Sequence, residues 1–325
     1  MTGLRLLATG SAVPNQCITN DDLAKIVDTS DAWITERTGI KTRYYAKDEN
    51  SVSLSAEAAK KALTAGNISP ADIGLIIVAT YAPEYLSPSV ACLVHKELGL
   101  TDDVMAFDLN AACTGFVYAL RTAHALLTQM PTKKAIVIGC ELLSKTADFT
   151  DRASCVLFGD GAGAVVAELA ADGIFSAYIG TSGDRDMICC PGIPNVHLPQ
   201  LGLTQSEPQP MKVYMNGKEV FRFAVDKLRL SLDTLCAQTG IVPDDLDYIV
   251  CHQANARIIS YVQKKTELPA EKFFTNIEQY GNTSAASIPL ALDDMNRQGL
   301  LTRGMKLALV GFGAGFTWGG CLLKW

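Results

Sequence analysis

The run Val104-Met-Ala-Phe-Asp-Leu-Asn-Ala-Ala-Cys113-Thr-Gly-Phe-Val-Tyr-Ala-Leu-Arg-Thr-Ala-His-Ala-Leu-Leu127 decides the fold of this chain. Residues 104–109 predict a short strand, and from Cys113 the apolar residues recur at the spacing of a helix. The helix is apolar almost all round, which predicts that it is buried. The free N–H groups and positive dipole of a helix start favour a thiolate, so we expect a lowered pKa for Cys113. Position alone leaves a catalytic nucleophile and an ordinary buried cysteine equally open.

Length and composition describe a large globular protein. The 325 residues are 48% hydrophobic and 19% charged, and the net charge is −6. An acidic chain without a basic stripe argues against nucleic-acid binding, and apolar runs under about 10 residues are too short to span a membrane. The ten cysteines form no CxxC pair and no zinc spacing with histidine, so no structural metal is predicted. Without a signal-peptide pattern, we expect reduced thiols and a cytoplasmic location.

Strand and helix patterns alternate along the chain. Short helices are predicted to start near Asn20 and Thr29, and a turn from Phe158 leads into a strand. Residues 172–212 are rich in Gly, Pro and polar residues, so we interpret them as a connecting segment. The other predicted strands are 3–13, 73–80, 104–109, 134–141, 246–252, 272–277 and a hairpin around Gly311–Gly315. The other predicted helices are 55–65, 89–98, 113–127, 219–239, 255–266 and 284–297.

The order of elements occurs twice. Pro70-x-Asp72-Ile73-x-x-Ile76 matches Pro243-x-Asp245-Leu246-x-x-Ile249, and the same offset carries Cys113 into the second apolar helix, 284–297. We therefore predict two copies of one α/β unit in a pseudo-twofold arrangement, with two unrelated α/β halves as the alternative. The predicted parts are an N-terminal half at 1–171, the connecting segment at 172–212 and a C-terminal half at 213–325.

Three polar residues stand at ends of elements that this duplication would bring to one pocket. Cys113 begins the first apolar helix, His252 ends the strand that opens the second half, and Asn282 precedes the second apolar helix. Taken singly, a histidine is more often a satisfied core residue and an asparagine a turn or cap residue. Their predicted convergence with a cysteine is what favours a catalytic site.

Six segments resemble β-ketoacyl-acyl-carrier-protein synthase III, and they follow one another along essentially the whole chain. The resemblance implies a thiolase-like α/β fold with layers α-β-α-β-α and a homodimer. The segments are Asp108-Leu-Asn-Ala-Ala-Cys113-Thr-Gly-Phe, Cys251-His-Gln-Ala-Asn255-Ala-Arg-Ile-Ile, Gly281-Asn-Thr-Ser-Ala-Ala-Ser-Ile-Pro, Asp28-Thr-Ser-Asp-Ala-Trp33-Ile-Thr-Glu-Arg37-Thr-Gly-Ile, Phe158-Gly-Asp-Gly-Ala-Gly and Phe312-Gly-Ala-Gly-Phe-Thr-Trp-Gly.

The resemblance implies a decarboxylative condensation that initiates type II fatty acid synthesis. Cys113 would take an acyl group from acyl-coenzyme A as a thioester, while the backbone N–H groups of Cys113 and Ala314 hold the oxyanion. His252 and Asn282 would donate hydrogen bonds to the thioester carbonyl of malonyl-acyl carrier protein as carbon dioxide leaves. The product is a 3-oxoacyl chain on the carrier protein, and the reaction implies no cofactor because both substrates are thioesters.

The resemblance also assigns binding residues. Trp33 and Arg152 would sandwich the adenine of coenzyme A, although a tryptophan that packs a helix is the alternative. Arg37 and Asn255 would lie near its phosphate and pantetheine arm. The acidic carrier protein would dock on one helix face, for which an ordinary solvated face is the alternative. The side chains of that face are Arg257, Lys264 and Lys265.

Two positions of the acyl pocket and oxyanion hole depart from the family pattern. Ser87 stands where an aromatic residue often closes the pocket of the neighbouring subunit, so it predicts room for a longer or branched starter. Ala314 replaces a usual glycine, but its backbone N–H is retained, so we expect activity to survive. The tunnel itself would be lined by Phe158, Met215 and Phe312.

Other functions remain open from the residues alone. A starter acyltransferase of the same fold would pass acyl groups to an alcohol or amine, and a Cys-His-Asn hydrolase or a non-catalytic scaffold are further alternatives. The papain-type signature is missing around Cys113, and neither Cys251 nor Cys321 lies in the second-cysteine motif of degradative thiolases. The adjacent Cys189 and Cys190 have no explanation in the sequence.

Overall fold

The computed structural model describes residues 2–130, 132–193, 196, 198–203 and 210–325. Its strands are β1 (Gly3–Ala12), β2 (Gln16–Thr19), β3 (Thr42–Tyr45), β4 (Ile73–Ala79), β5 (Met105–Leu109), β6 (Lys134–Leu142), β7 (Asp160–Ala170), β8 (Phe175–Asp184), β9 (Ile188–Cys189), β10 (Tyr214–Met215), β11 (Tyr248–Cys251), β12 (Lys306–Gly313) and β13 (Gly315–Lys324). Its α-helices are α1 (Asn20–Leu23), α2 (Asp31–Thr38), α3 (Ser51–Gly66), α4 (Val90–Leu98), α5 (Gly115–Leu127), α6 (Arg152–Cys155), α7 (Gly217–Thr239), α8 (Ala256–Thr266), α9 (Ile277–Tyr280) and α10 (Ser287–Arg297).

Two mixed sheets form the frame. The first has the strand order β1-β7-β6-β4-β5 and the second the order β11-β12-β13-β8. In the first sheet β6, β4 and β5 run parallel, while β7 is antiparallel to both β6 and β1. In the second sheet β11 and β12 run parallel, while β13 is antiparallel to both β12 and β8. The two sheets therefore repeat one pairing scheme, as the predicted duplication requires.

The helices complete a five-layer structure. Helices α3 and α4 pack on one face of the first sheet, α7 packs on the second sheet and α8 packs on α7. Helices α5 and α10 contact strands of both sheets and so lie between them. The first copy follows the order strand, outer helix, strand, outer helix, strand, inner helix, strand, strand, and the second copy follows the same order without the strand before its inner helix. The expected α-β-α-β-α order of layers is thereby confirmed.

The middle layer holds the largest apolar cluster. Side chains from α5 and α10, among them Phe116, Leu120, Leu292 and Met295, are fully buried there against both sheets. Burial of one such side chain contributes about 1.5–3 kcal/mol, so this layer is a main source of stability. The predicted burial of the Cys113 helix is confirmed.

A glycine lets the second inner helix approach the first sheet. A Cβ built at Gly139 of β6 would lie 2.1 Å from the carbonyl oxygen of Ala285, in the 3-10 turn that precedes α10. No side chain fits that gap, so any other residue would push the start of α10 away. Asn282 lies just before this turn, so the contact also fixes the distance between Asn282 and the first half of the chain.

The prediction of a strand at 272–277 is wrong. The chain forms a 3-10 turn at Ala270–Lys272, then one parallel bridge from Phe273 to Ile249, and then α9. The backbone N–H of Asn276 donates to Gln253 Oε1 at 3.3 Å, and its side chain donates to Asp294 at 2.8 Å. Side-chain partners thus replace the backbone ladder that a longer strand would have made.

The connecting segment 172–212 contains a strand that the sequence analysis missed. Strand β8 pairs with β13 along most of its length and takes the place in the second sheet that β1 takes in the first. Its residues are mostly half-buried or exposed, so the sequence shows little apolar periodicity. The second copy of the topology therefore starts at Phe175. Within this segment, residues 194, 195, 197 and 204–209 lie outside the described part of the chain.

Candidate active site

A cavity of about 900 Å³ is lined by residues of both halves. Cys113, His252 and Asn282 all line it, so the structure brings the three residues of the predicted constellation together. A Cβ built at Gly311 would lie 3.8 Å from the Cys113 carbonyl oxygen and 3.7 Å from His252 Cβ, which puts these two residues on either side of one glycine.

Cys113 sits in a strained 3-10 turn, Ala112–Thr114, directly before α5. Ala112 has φ +46°, and Ser284, in the matching turn before α10, has φ +50°. Each such left-handed residue costs about 1–3 kcal/mol and is typical of functional sites. A Cβ at Gly313 would lie 2.8 Å from the Cys113 nitrogen, so a glycine there allows the β12–β13 turn to reach the nucleophile's backbone.

The Cys113 thiol is not a preformed thiolate. Burial raises its pKa to about 11, and the nearby Ser284 hydroxyl lowers it by less than burial raises it. The neighbouring charge of Glu141 raises the pKa further. The expected lowering of this pKa is therefore wrong, because burial outweighs the polar contacts that favour the thiolate.

His252 is a neutral hydrogen-bond donor. It is buried, and burial lowers its pKa to about 3. Its Nδ1 lies 2.7 Å from Ser287 Oγ, which also accepts the N–H of Gln253 at 3.3 Å. Because Ser287 already accepts one bond, its own proton can go to Nδ1, and the ring proton then sits on Nε2. Among the described residues Nε2 has no partner, so this N–H is free to bind a substrate oxygen.

Asn282 is oriented by its neighbours in the same way. Its Oδ1 accepts the N–H of Ser284 at 2.9 Å, which leaves the amide Nδ2 as the free donor. Its backbone N–H donates to Leu157 at 2.8 Å, and its carbonyl accepts the N–H of Gly159 at 3.0 Å. These backbone bonds tie Asn282 to the stretch around Phe158 and hold the amide at the cavity wall.

The residues expected to bind coenzyme A gather around Trp33. The Arg37 guanidinium lies 4.6 Å from the centre of its rings and that of Arg152 lies 5.1 Å away. Asn255 caps α8 and donates from Nδ2 to the Arg37 carbonyl at 3.1 Å. Arg152 also donates to the Asp28 carbonyl at 2.7 Å, so a base entering between Trp33 and Arg152 has to displace this arginine.

The three tunnel residues also lie on the cavity. Phe158, Met215 and Phe312 line it, and Phe312 meets the His252 ring edge to face at 5.5 Å. Ser87 is exposed and does not line this chain's own cavity. Two residues that the sequence left unexplained, Cys189 and Cys190, face the same cavity as half-buried thiols.

The basic face of α8 is open to solvent beside the cavity. Its N-terminal end and the preceding residues, including Asn255 and Ile258, line the cavity. Ile258, Ile259 and Val262 are buried beneath the helix. The three exposed basic side chains are Arg257, Lys264 and Lys265.

Metal and membrane sites were sought in the described residues. No group of three or more His, Cys, Asp or Glu side chains there could hold a metal ion. No helix in the same part of the chain is long and apolar enough to cross a membrane.

Functional residues missed by sequence reasoning include Ser284 and Ser287. Ser287 Oγ contacts His252 across 35 positions of sequence, and the Ser284 hydroxyl, from the opposite half, lowers the pKa of Cys113. The sequence shows a motif that begins at Gly281 and contains both serines. Nothing in this motif distinguishes a serine that bonds a histidine from a serine that only starts a helix. Only the fold makes that distinction.

Comparisons with known proteins identify the family of this chain. The family described as 3-oxoacyl-[acyl-carrier-protein] synthase III matches residues 107–183, and its C-terminal family matches 236–325. β-Ketoacyl-[acyl-carrier-protein] synthase III of Clostridium acetobutylicum is 48% identical over 100% of this chain and 99% of its own length, and that of Clostridium botulinum is 44% identical with the same coverage. The Aquifex aeolicus 3-oxoacyl-[acyl-carrier-protein] synthase III structure is 40% identical, with a TM-score of 0.89 over 99% of this chain and 100% of that one. The priming β-ketosynthase of the R1128 polyketide pathway is 31% identical, with a TM-score of 0.90 over 99% and 96%. The chain therefore belongs to the β-ketoacyl-acyl-carrier-protein synthase III family, with its thiolase-like fold and acyltransferase chemistry.

Proposed function

We propose that this enzyme starts fatty acid synthesis by joining an acyl group from acyl-coenzyme A to a malonyl group on acyl carrier protein. The observation that carries the proposal is the convergence of one thiol, Cys113, with two neutral donors, His252 Nε2 and Asn282 Nδ2, on one cavity. A thiol accepts an acyl group, and neutral donors suit an oxygen that gains negative charge. Both substrates are thioesters, so we infer that no cofactor takes part.

The first step acylates Cys113. Its sulfur attacks the thioester carbonyl of acyl-coenzyme A, the carbon–sulfur bond to coenzyme A breaks, and the Cys113 proton ends on the departing coenzyme A thiol. Negative charge develops on the carbonyl oxygen meanwhile. The N–H groups of Cys113 and Ala314 are the donors for that oxygen, because Gly313 brings the β12–β13 turn against the Cys113 nitrogen.

The second step condenses the two substrates. Carbon dioxide leaves the malonyl group, and the electron pair of the broken bond builds negative charge on the thioester oxygen. His252 Nε2 and Asn282 Nδ2 donate to that oxygen. Removal of one oxyanion donor raises the activation free energy by about 2.7–4 kcal/mol in known enzymes, and we expect a similar contribution from each of these two. The resulting carbanion attacks the acyl carbon on Cys113. As the new carbon–carbon bond forms, the carbon–sulfur bond to Cys113 breaks, and the thiolate that leaves takes a proton from water. The 3-oxoacyl chain stays on the carrier protein.

We also infer that the active enzyme is a homodimer. Strand β5 is the last strand of the first sheet, and Met105 on it is 46% exposed. The loop before α4 exposes Tyr85 and Leu86, and the start of α4 is bonded to Asp108 of β5. An edge strand beside apolar side chains favours pairing with a second copy, which would bring Ser87 towards the partner's cavity.

Ten free cysteines, two of them exposed, support a reducing compartment such as the cytoplasm.

Intact-protein mass spectrometry tests the proposal. We expect purified enzyme and acyl-coenzyme A esters of varied length and branching to give one acyl adduct, which disappears when malonyl-acyl carrier protein is added and carbon dioxide is released. Cys113→Ala should form no adduct, whereas Cys92→Ala, which changes an exposed cysteine, should behave as wild type. His252→Ala should still acylate but condense about 100-fold more slowly or worse.

Each other outcome has a definite meaning. An enzyme that forms no adduct with any ester has no acyl-transfer function at Cys113, and the proposal is then wrong. An adduct that passes to an alcohol or amine but never to malonyl-carrier protein would identify a starter acyltransferase of the same fold. The preferred ester shows whether Ser87 leaves room for a long or branched starter.

A further inference from the structure

Two buried threonine hydroxyls join the nucleophile turn to the β12–β13 turn. Thr114 Oγ1 and Thr317 Oγ1 are 2.5 Å apart, although 203 positions separate them in sequence. Both residues are buried, with exposed fractions of 0% and 9%. Thr114 follows Cys113 directly, and Thr317 follows Ala314 by three residues. The pair therefore connects the two backbone segments that supply the proposed oxyanion donors.

The bonding around the pair defines how it holds these segments. Thr114 Oγ1 lies 2.7 Å from the Ala111 carbonyl oxygen. Thr317 Oγ1 lies 3.2 Å from that carbonyl and 3.2 Å from the Ala314 carbonyl. Each hydroxyl has one proton, so one donates to the other and the second donates to a carbonyl. In either arrangement Thr114 is hydrogen-bonded to Thr317, so the pair joins the Cys113 turn to the start of β13, three residues after Ala314.

We propose that Thr114 and Thr317 act as positioning residues that fix the oxyanion hole for acylation of Cys113. This inference rests on the proposed function, because it concerns the donors of the acyl-transfer step. The two donors belong to different turns and to opposite halves of the chain, so their spacing needs a direct connection. A loose turn would permit a displacement of about 1 Å, and a displacement of that size at such a site lowers the rate about 100-fold.

The two hydroxyls are not equivalent, and this gives the proposal a distinctive signature. Without Thr114, Thr317 still reaches the Ala111 carbonyl and keeps one connection across the halves. Without Thr317, Thr114 bonds only the Ala111 carbonyl of its own turn, and the connection is lost. Thr317→Val should therefore slow acylation more than Thr114→Val does. The double variant should match Thr317→Val, because the pair works as one unit.

The test measures acylation of Cys113 by a good acyl-coenzyme A ester in single-turnover mass spectrometry. We expect Thr317→Val to lower the acylation rate about 10- to 100-fold with little change in the ester concentration for half-maximal rate. Alkylation of Cys113 by iodoacetamide, which forms no oxyanion, should remain within about twofold of wild type, since the thiol itself is unchanged. Thr317→Ser should restore acylation. Thr122→Val is the matched control, because the Thr122 hydroxyl bonds only the Tyr118 carbonyl within α5.

The remaining outcomes overturn the proposal. Acylation by Thr317→Val at the wild-type rate would show that the hydroxyl pair does not position the donors. A parallel loss of acylation and alkylation, or a loss in Thr317→Ser equal to that in Thr317→Val, would indicate general damage to the turn. Thermal unfolding of each variant identifies those that fail to fold, and Thr114→Ala and Thr317→Ala, which also lack the hydroxyl, then serve in their place. Wild-type enzyme that never acylates would contradict the proposed function instead.

Discussion

At the scale of single residues, the site consists of neutral groups. In the proposed reaction they are positioned to donate hydrogen bonds to an oxyanion, whose negative charge develops only in the transition state. Burial raises the pKa of Cys113 to about 11 and lowers that of His252 to about 3. At neutral pH the pair is therefore a thiol and an imidazole, not a thiolate and an imidazolium. Such a site holds no buried ion that needs stabilising before substrate binds. The proposed role of its donors is to stabilise the oxyanion in the transition state.

This electrostatic state predicts the pH dependence of Cys113 reactivity. The raised pKa means that the thiolate fraction is small at neutral pH and grows as pH rises towards about 11. Alkylation by iodoacetamide should therefore increase about tenfold for each pH unit from pH 7 to 10, without an inflection from His252 near its usual pKa. Ser284→Ala should shift the profile to higher pH, because the nearby Ser284 hydroxyl lowers this pKa. A plateau below pH 8 would instead support the helix-start effect that the sequence suggests.

Sequence reasoning identified the three residues that meet at the cavity, which we propose to be the reacting ones, but not the residues that hold them. Cys113, His252 and Asn282 stand in long local motifs, so their chemistry is visible in the chain. Ser287 and Thr317 act through contacts 35 and 203 positions away. A threonine in a glycine-rich hairpin carries no local sign of such a partner, so these contacts could be recognised only once the two halves were folded together.

At the scale of elements, prediction succeeded where burial was complete. Strand β4 is buried throughout and gave a continuous apolar run, whereas the half-exposed edge strand β8 gave almost no pattern. The predicted strand at 272–277 failed because side chains of Gln253 and Asp294 satisfy Asn276 in place of a neighbouring strand. The apolar pattern of a segment reflects how much of it is buried. Half-exposed strands at sheet edges are therefore the elements that such a pattern fails to predict.

Helix α8 carries the prediction that belongs to this scale. Its exposed Arg257, Lys264 and Lys265 lie beside the cavity on a chain that is acidic overall. Reversal of all three charges to Glu should raise KM for malonyl-acyl carrier protein about tenfold or more, since exposed charges contribute about 0.2–1 kcal/mol each. Steady-state kinetics should show acylation by acyl-coenzyme A unchanged and the effect weakened by salt.

The matched control is Lys60→Glu, which reverses an exposed charge on α3, a helix packed against the other sheet. If the control raises KM as much as the triple variant does, the effect comes from net charge and not from a docking surface. If the triple variant changes nothing, the basic face of α8 is an ordinary solvated surface.

At the scale of the whole molecule, the repeated halves build a complete interior but leave one sheet edge unfinished. Strand β5 ends the first sheet, while its counterpart in the second copy is reduced to the single bridge of Phe273 with Ile249. The duplication is therefore unequal at this point. A second copy pairing along β5, as proposed above, would cover the edge and the apolar side chains of the loop before α4.

The unequal edge predicts how oligomeric state and activity are linked. Leu86→Arg combined with Met105→Lys places charges on two exposed apolar positions, 76% and 46% accessible, and should convert a dimer into single chains in sedimentation velocity. A stable dimer buries about 1,200–2,000 Å², so two charges at its centre are costly. Condensing activity should fall with dissociation, because Ser87 can no longer reach the partner's cavity. Val242→Arg, at an exposed apolar position in the other half, should leave both properties unchanged. Wild-type enzyme that sediments as a single chain at full activity would show that each cavity is complete within one chain.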